Sequence, residues 1–522
     1  MNKISFDKLK RLWGGVKNNK YFQLLMIFLF IYFPFFISYR IEINKKFIDN
    51  SLLPSLALMF PLFIFPNFVG TYLVLIFIAF WIPYLINVYH YILFGSSITK
   101  DGLMAIFETT PKESIGFISH FFNFKVGIIS LLLIFIIIFF VKFISLKSFK
   151  NIKYFSHFQK ILFIIFCLAC GFGSFSLNTS KYQTMPYYMY SQYRDFKAEL
   201  LTLRLKKSIK FDKFENIKSV FDDKKQTFVI VVGESSSRDH YSLYGYERDT
   251  NPLLSKRNDI YTFKNVVSPH AQTLLSLKKA LSFANFENMD YLTSKGSIVN
   301  YFKDAGFKVF WISNQERLGR FSTYTSIVAS DSDVAFFDDD VKRYTSKNNI
   351  NDYDMKDFYQ KALEDKADKK VIFLHFIGSH SPYADNISNE FKKFSNGVSD
   401  RQMKVDAYDN TILFNDYVLN EYINMLKLQG GLSYLLYFSD HGEDVRDMKE
   451  SCFCHHEKIK SQPMLNVPFI VWVSDRYKKL RGDYISKFKL DKEYCSENLI
   501  HSVMSLSGLS NKDIEKSKSI FD

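Results

Sequence analysis

The sequence predicts an α-helical membrane part followed by an α/β part with a mostly parallel sheet. Phe, Ile and Leu dominate up to about residue 180, whereas charged residues, Asn and Asp return after it. From residue 226 onwards, short β-branched runs alternate with helical patterns, which is typical of helices packed on a parallel sheet. We therefore assign 1–180 to a transmembrane domain, 181–225 to an interfacial linker and 226–522 to a soluble domain.

Five apolar stretches in the first part approach the roughly 20 residues that cross a bilayer core. We predict one span in each of the stretches 21–39, 51–67, 69–89, 124–145 and 157–178. Pro54, Pro61 and Pro66 interrupt the second stretch, which packed membrane helices tolerate. A buried hairpin of a soluble protein is the alternative, and the uncharged run 127–141 argues against it.

Basic residues set the orientation of these spans. They precede the first span and lie between the fourth and fifth, at Lys147, Lys150 and Lys153, so both segments should be cytoplasmic. Five spans then place the soluble domain outside, in the periplasm of a Gram-negative-like cell. The net charge of +14 fits anionic lipid headgroups better than nucleic acid, which an exported domain rarely meets. We expect a multi-pass inner-membrane protein, monomeric and without a nucleic-acid partner.

Metal-binding side chains follow two predicted strands of the soluble domain. The strands are predicted at 227–233, 308–313, 370–376, 434–439 and 468–473. Glu234 comes directly after the first strand, and Asp440 and His441 come directly after the fourth. Because parallel strands end at one edge of a sheet, these side chains should meet there. Two oxygen donors and one nitrogen donor suit a zinc-like divalent ion.

A hydroxyl and several imidazoles accompany this set. Thr273 stands just before a helical pattern, where a helix N-terminus stabilises an added phosphoryl group. Taken alone it would be interpreted as an N-cap, and the predicted metal cluster reverses that preference. His375 is interpreted as a core residue, whereas His380 lies in a loop from which it could contact a phosphate or leaving group. His455 and His456 offer a further imidazole, and spacing does not decide which one faces the site.

Cysteine usage and glycine patterns add two constraints. Cys167 and Cys170 fall within the fifth predicted span, where thiols behave as small apolar residues. Cys452, Cys454 and Cys495 allow one disulfide to Cys495, which an exported compartment favours over a cysteine-ligated metal. No glycine-rich phosphate loop occurs, so nucleotide binding has no support.

Five sequence blocks resemble the phosphoethanolamine transferases of Gram-negative envelopes, which are membrane-anchored members of the alkaline phosphatase and sulfatase superfamily. The blocks are 233–252, 268–277, 311–315, 375–382 and 439–443. The resemblance implies a periplasmic sulfatase-like catalytic domain that works in two steps. Thr273 would take phosphoethanolamine from phosphatidylethanolamine, release diacylglycerol and pass the group to lipopolysaccharide.

The resemblance also implies roles for individual residues. The family's zinc ligands and nucleophile correspond to Glu234, Thr273, Asp440 and His441. One zinc ion would be tightly bound, and the resemblance also allows a second ion. The family's outer histidines, which have catalytic roles, correspond to His380 and His455. Substrate contacts are expected from Asn314, Gln315 and His456.

The acceptor is the least determined part of this interpretation. The serines after Glu234, the block 272–277 and the low cysteine number resemble the branch that modifies core heptose more than the lipid A branch. The same chemistry on lipid A phosphates, or phosphoglycerol transfer to a glycan, are the alternatives. A sulfatase is disfavoured because no Cys-x-Pro-x-Arg block occurs, and a noncatalytic scaffold because all four expected metal-site positions are filled.

Overall fold

The computed structural model describes residues 19–41, 52–94, 98, 103, 124–144, 155–177, 188–194, 197, 211–222, 225–315, 324–346, 350–445, 455–457 and 460–522. These residues form two compact units, one containing the described residues up to 194 and the other those from 197 onwards. Each unit has its own apolar core. Much of the predicted linker 181–225 lies outside the described residues, so the predicted domain boundaries stay a prediction.

The first unit consists of apolar helices. They are α1 (Lys20–Ile41), α2 (Leu52–Ala57), α3 (Pro61–Ile64), α4 (Val69–Ile76), α5 (Ile82–Phe94), α6 (Phe124–Phe143) and α7 (His157–Leu177). A π-helical turn, Phe77–Trp81, joins α4 to α5. Pro61 and Pro66 each begin a new short helix, which explains why the second apolar stretch is broken.

The number of membrane spans is not settled by these helices. Two segments of the described chain, Val69–Leu93 and Val126–Phe143, are long and apolar enough to cross a membrane. Tyr21–Pro34, Leu52–Ile64 and His157–Gly173 are apolar but shorter. All five predicted stretches therefore coincide with apolar helices, and five remains a predicted count.

Trp81 lies at the centre of the first unit's core. Its ring centroid is 5.2 Å from that of Phe30 and 6.1 Å from that of Phe140. Its Nε1 donates a hydrogen bond of 3.0 Å to the Phe30 carbonyl. By contrast, Leu131 and Phe135 on α6 are 68% and 67% exposed. Outward-facing apolar side chains of this kind suit a lipid environment, because their exposure to water is unfavourable.

The second unit is built on a mixed sheet of seven strands. The strands of this unit are β1 (Lys218–Ser219), β2 (Gln226–Gly233), β3 (Ile260–Thr262), β4 (Val266–Val267), β5 (Lys308–Ser313), β6 (Val334–Phe336), β7 (Lys369–His375), β8 (Leu432–Ser439), β9 (Phe469–Val473), β10 (Tyr494–Cys495) and β11 (Leu509–Ser510). The large sheet has the order β3-β9-β8-β2-β7-β5-β6. Two small ladders, β1 with β11 and β4 with β10, complete the unit.

The prediction of a mostly parallel sheet is correct for five strands and wrong for one edge. The strands from β8 to β6 are parallel to one another. In contrast, β9 runs antiparallel to β8, and β3 runs antiparallel to β9. A parallel return needs a long crossover, usually a helix. Here Gly442 N, just after β8, donates at 2.8 Å to the carbonyl of Met464, which lies shortly before β9, so β9 begins at the edge where β8 ends.

Helices cover both faces of this sheet, which explains why β8 is buried along its whole length. They are α8 (Thr273–Ala280), α9 (Tyr291–Ser294), α10 (Ile298–Asp304), α11 (Tyr324–Ser330), α12 (Asp338–Thr345), α13 (Lys356–Leu363), α14 (Asp400–Gln429), α15 (Gln462–Leu465), α16 (Asp475–Ile485) and α17 (Leu499–Leu506). The central strand β2 pairs with β7 and β8, in a register that places Gly233 opposite Ser439 and Val232 opposite His375. The chain therefore leaves all three strands at the same edge.

Candidate active site

Glu234, Asp440 and His441 meet where β2 and β8 end. Asp440 N donates to the Gly233 carbonyl at 3.1 Å, which extends the pairing of the two strands by one residue. One ligand atom from each of the three side chains lies within 4.8 Å of the others. All three residues are at most 2% exposed. The structure thus brings together the three groups that the strand ends predicted.

The electrostatics of this cluster favour a positive charge between its carboxylates. Burial and the negative charge of Glu234 raise the pKa of Asp440 to about 8. Burial lowers the pKa of His441, but the carboxylates of Asp440 and Glu234 outweigh it and raise that pKa to about 10. Burial also raises the pKa of Glu234, yet hydrogen bonding and the charge of His441 bring it well below its usual range. The two carboxylates would stabilise either a protonated imidazole or a divalent cation.

Asp440 divides its two oxygens between the protein and the centre of the site. Oδ1 accepts the N–H groups of Ser235 at 3.1 Å and of His441 at 2.7 Å. Oδ2 is buried and accepts no hydrogen bond from the described part of the chain. A buried unsatisfied acceptor costs about 1–3 kcal/mol or more, unless a cation contacts it. This oxygen and the oxygen and nitrogen donors beside it fit a zinc ion.

The imidazole of His441 is oriented by the carbonyl of the next residue. Its Nδ1 donates to the Gly442 carbonyl at 2.8 Å, so Nε2 is the nitrogen left to face the carboxylates. Nε2 lies 3.4 Å from Glu234 Oε1 and 3.5 Å from Asp440 Oδ2. A Cβ on Gly442 would lie 2.0 Å from the Pro463 carbonyl oxygen, so only glycine permits this close approach.

Thr273, the first residue of α8, directs its hydroxyl into the same cluster. Oγ1 lies 3.1 Å from Glu234 Oε2 and 3.3 Å from His441 Nε2. The residue before it, Gln272, is the N-cap and makes no side-chain cap. The first N–H groups of a helix lack partners within the helix and attract anions. A phosphoryl group on Oγ1 would therefore meet both a cation-binding cluster and a helix N-terminus.

Two serines that sequence reasoning missed tie α8 to the cluster. The hydroxyls of Ser268 and Ser276 donate to the Asp440 carbonyl at 2.5 and 2.6 Å. A third, Ser235, donates its hydroxyl to Glu234 Oε1 at 2.8 Å and has a φ of 54°. A left-handed serine is uncommon and strained, and such residues concentrate at functional sites. Its conformation gives Asp440 the N–H group described above.

The loop after β7 packs directly on Glu234. Ser379 N donates to the Glu234 carbonyl at 2.9 Å. Gly378 has a φ of 51°, and a Cβ there would lie 2.7 Å from the same carbonyl oxygen, so the loop requires glycine. Asp352 holds the loop by accepting two of its backbone N–H groups. This arrangement brings the half-buried His380 near enough for its charge to lower the pKa of Glu234.

His455 lies on the other side of the cluster. Its ring centroid is 4.3 Å from that of His441, and its Nδ1 bonds Glu443 Oε2 at 2.8 Å. Tyr383 donates to the second oxygen of Glu443 at 3.0 Å. His441, Glu443 and His455 form a second group with metal-ligand spacing. The structure thus places the ring of His455 beside the cluster.

The three predicted substrate contacts occupy different positions. Gln315 donates to Glu234 Oε2 at 3.4 Å and to the Phe376 carbonyl at 2.9 Å, so it touches the cluster. Asn314 is buried and donates to Asp352 at 2.9 Å. His456 is 5% exposed. Their contacts with substrate stay a prediction.

His375 is buried, as expected for a core residue. Its Nδ1 lies 3.3 Å from the Ser313 hydroxyl. Burial lowers its pKa to about 4, so the ring is neutral near pH 7. Cys452 and Cys454 lie outside the described residues, so the predicted disulfide with Cys495 stays a prediction.

Glu457 is a further residue that sequence reasoning missed. Its carboxylate accepts the Ala271 N–H at 3.0 Å and bonds His270 Nδ1 at 2.7 Å. Lys460 contacts the same carboxylate at 2.5 Å. Because Ala271 precedes Thr273 by two residues, Glu457 holds the loop that presents the hydroxyl. Its position two residues after His455 was the one available signal, and no pattern connects it to residue 271.

Known proteins resemble this chain in sequence and in fold. The sulfatase family matches residues 226–509. Phosphoethanolamine transferase EptC of Escherichia coli (strain K12) is 26% identical over 502 residues, which cover 91% of this chain and 86% of the relative. The crystal structure of the C-terminal periplasmic domain of E. coli EptC in complex with Zn superimposes with a TM-score of 0.56 at 30% identity, covering 60% of this chain and 90% of that one.

The fold similarity extends to a whole membrane protein. The integral membrane protein lipooligosaccharide phosphoethanolamine transferase A (EptA) from Neisseria meningitidis has a TM-score of 0.64 at 19% identity, covering 95% of this chain and 97% of that one. At this identity the similarity shows the fold alone. Since the family match spans more than half of the sequence, this chain belongs to the sulfatase family, and its resemblance to phosphoethanolamine transferases is confirmed.

Proposed function

We propose that this protein transfers phosphoethanolamine from phosphatidylethanolamine to lipopolysaccharide through Thr273. One observation carries the proposal: the Thr273 hydroxyl lies 3.1–3.3 Å from Glu234 and His441, beside the unpartnered Oδ2 of the buried Asp440. The names of the relatives supply the group transferred. The membrane-type first unit supports a lipid as its donor.

Glu234, Asp440 and His441 would hold a zinc ion, with Thr273 at the remaining position. When bound, zinc stabilises the threonine alkoxide and the charge on the phosphoryl oxygens. The zinc complex of the E. coli EptC domain supports this choice of metal. Gln315 and Ser235 hold Glu234 in place, while Ser268 and Ser276 hold α8 against Asp440. The protein thereby fixes the nucleophile before substrate arrives.

The transfer takes place in two balanced steps. Thr273 loses its hydroxyl proton, the Oγ1–P bond forms, and the bond from phosphorus to the diacylglycerol oxygen breaks. That oxygen gains a proton, for which His380 and His455 are the neighbouring imidazoles. In the second step an acceptor oxygen loses its proton and bonds to phosphorus, the Oγ1–P bond breaks, and Thr273 Oγ1 regains a proton. The α8 N-terminus stabilises the phosphorylated threonine between the two steps.

The acceptor we favour is a heptose hydroxyl of the lipopolysaccharide core. The match to EptC extends over 91% of this chain, whereas EptA of E. coli (strain K12) matches 56%. Together with the serines after Glu234, this supports the core branch. A multi-pass protein of the inner membrane, with the second unit in the periplasm, would meet both the donor and the acceptor.

The first half-reaction gives the sharpest test. Purified full-length protein is incubated with fluorescent phosphatidylethanolamine, and diacylglycerol release is followed. We expect Thr273→Ala to abolish release and Thr273→Ser to retain part of it, because serine keeps a hydroxyl. Thr293→Ala is the matched control, since the hydroxyl of this half-buried threonine donates to a carbonyl in its own turn at 3.1 Å.

Mass spectrometry of the trapped protein then identifies the transferred group. An adduct of phosphoethanolamine mass on Thr273 is expected, and one of phosphoglycerol mass would redirect the proposal to phosphoglycerol transfer. Diacylglycerol release that survives Thr273→Ala would disprove the role of this residue. Lipopolysaccharide from a deletion strain, analysed with and without removal of lipid A, distinguishes a core acceptor from a lipid A acceptor.

A further inference from the structure

A polar cavity of about 590 Å³ lies beside the active site and is not used by the proposed reaction. It is lined by Arg238, Asp239, Tyr244, Tyr246, Glu247 and Lys264, among others. Its volume falls within the range of small-molecule sites, which is about 300–1,000 Å³. We propose that this cavity binds a neutral sugar unit of the acceptor glycan. The inference rests on the proposed function, because it assigns the cavity to that reaction's acceptor.

Residues in the walls of the cavity are close in sequence to residues of the candidate active site. Arg238 follows Glu234 by four residues, and Lys264 precedes Thr273 by nine. Arg238 N donates to the Asn466 carbonyl at 3.0 Å, and a Cβ on Gly442 would lie 3.0 Å from the same oxygen. A single stretch of backbone around Asn466 therefore contacts both the cavity wall and the loop of His441. An acceptor longer than one sugar could reach from the cavity to the nucleophile.

Two tyrosines in the cavity wall are held rigidly. The Tyr244 hydroxyl donates to the Phe469 carbonyl at 3.1 Å and accepts the Phe469 N–H at 3.0 Å. The Tyr246 hydroxyl donates to Asp409 at 2.9 Å. Between them in sequence, Gly245 has a φ of 100° and no atom within 4 Å of an added Cβ, so the cavity is open at this residue. Fixed aromatic rings provide apolar contact area at little entropic cost, which suits the C–H faces of a sugar.

The charges around the cavity balance, which favours a neutral polyhydroxyl ligand. Arg238 and Lys264 are offset by Asp239 and Glu247. The Arg238 guanidinium bonds the Lys264 carbonyl, and Lys264 Nζ pairs with Asp491 at 3.2 Å. A phosphate would require an excess of cationic donors. Sugar hydroxyls both donate and accept, so they can use guanidinium, ammonium and carboxylate groups together.

The test separates the two half-reactions in the full-length protein. Glu247→Gln combined with Lys264→Gln changes two exposed cavity residues without altering net charge. The acceptor is core oligosaccharide freed from lipid A by mild acid, from a strain lacking this protein. We expect the KM for this oligosaccharide to rise at least tenfold, while diacylglycerol release in its absence stays unchanged. The matched control, Glu493→Gln with Lys512→Gln, makes the same charge change at exposed residues outside the cavity and should leave both unchanged.

Binding measured without turnover keeps this inference separate from the proposed function. Saturation-transfer NMR of the same oligosaccharide with full-length Thr273→Ala protein should show contact, and the cavity variant added to Thr273→Ala should lose it. Inorganic phosphate should not displace the sugar. The inference would be overturned if the cavity variant had the same KM and the same NMR signal as the control variant. Displacement of the sugar by phosphate would also overturn it. Failure of wild-type diacylglycerol release would count against the proposed function alone, since the NMR arm does not depend on it.

Discussion

Two buried clusters of the second unit combine aspartate with histidine and differ in how completely the protein satisfies them. In the candidate active site, Asp440 Oδ2 accepts no hydrogen bond from the described residues. In the other cluster, which we call the Asp409 cluster, both carboxylate oxygens are used. Asp409 Oδ1 bonds His240 Nδ1 at 2.6 Å, and Oδ2 accepts from Arg248 at 2.7 Å and from Tyr246 at 2.9 Å.

Burial and residue type therefore do not by themselves identify a functional site. Asp409 and Asp440 are both 0% exposed, and each contacts an imidazole. Donors from the protein satisfy both carboxylate oxygens of Asp409. These hydrogen bonds fix the segment 240–248 on α14. In the Asp440 cluster, Oδ2 accepts no hydrogen bond from the described residues, and a second carboxylate, that of Glu234, lies beside it. Under the proposed function, this unpaired acceptor beside a hydroxyl is what would allow the cluster to bind a metal and act on a substrate.

The largest expected effect is that of Asp440→Asn, which removes the charge of the open oxygen with little change in size. We expect bound zinc and diacylglycerol release both to fall by more than about 100-fold, the upper end of the cost of losing an outer partner of a metal ligand. Metal analysis by mass spectrometry and the fluorescent lipid assay measure the two losses. Asp409→Asn is the matched control and should keep its zinc. Full zinc occupancy in Asp440→Asn would remove the distinction between the clusters.

The next effect is on stability and belongs to the other cluster. Asp409→Ala leaves His240 and Arg248 buried or half-buried without their shared carboxylate. We expect the free energy of unfolding to fall by about 3–5 kcal/mol, as for other broken buried ion pairs. Thermal and denaturant unfolding in detergent would measure it, and zinc per folded molecule should not change. A loss below about 1 kcal/mol, the value of an exposed pair, would show that the Asp409 cluster does not hold the fold together.

Removal of the metal should destabilise the protein by an intermediate amount. A ligand present at 100 times its dissociation constant stabilises the native state by about 2.7 kcal/mol. Dialysis against a chelator should therefore lower the unfolding midpoint of the wild type and of Asp409→Asn. It should leave Asp440→Asn unchanged, because that variant has no zinc to lose. Equal shifts in both variants would indicate that the stabilising metal binds elsewhere.

The smallest expected effect concerns the loop that presents the nucleophile. Glu457→Gln weakens the carboxylate contacts to His270 and Ala271 without touching a metal ligand. We expect kcat for diacylglycerol release to fall about tenfold, the lower end of outer-partner effects, with KM and zinc content unchanged. Glu457→Asp should restore part of the rate, and the exposed Glu215→Gln serves as the control. A change in KM alone would place Glu457 in substrate binding.

The sequence was informative where the chain runs through a buried parallel strand. The short apolar runs located β2, β5, β7 and β8, and the polar residues that follow β2 and β8 form the cluster. The strand β9 was predicted, but its antiparallel direction was not, because direction depends on the connection, and β9 begins at the edge of the sheet where β8 ends. Periodicity carries no information about a connection of that kind.

Contacts made by irregular segments could not be predicted. Glu457 and Ser268 act on the site through loops whose partners lie 186 and 172 residues away. The Asp409 cluster depends on the packing of α14 against the segment 240–248. An isolated aspartate in a helical pattern looks like a solvated residue until that packing is known. What distinguishes Asp440 from Asp409 is a missing donor, which only the folded chain reveals.

The pairing of Gly233 with Ser439 has a consequence for how the protein matures. These neighbours in the sheet are 206 positions apart (439 − 233). Glu234 and Thr273 are synthesised early, but the second carboxylate and the imidazole arrive only with residues 440 and 441 of 522. Such non-local pairing forms slowly. Every shorter nascent chain lacks the complete donor set, so under the proposed function the metal would bind only once the sheet has closed.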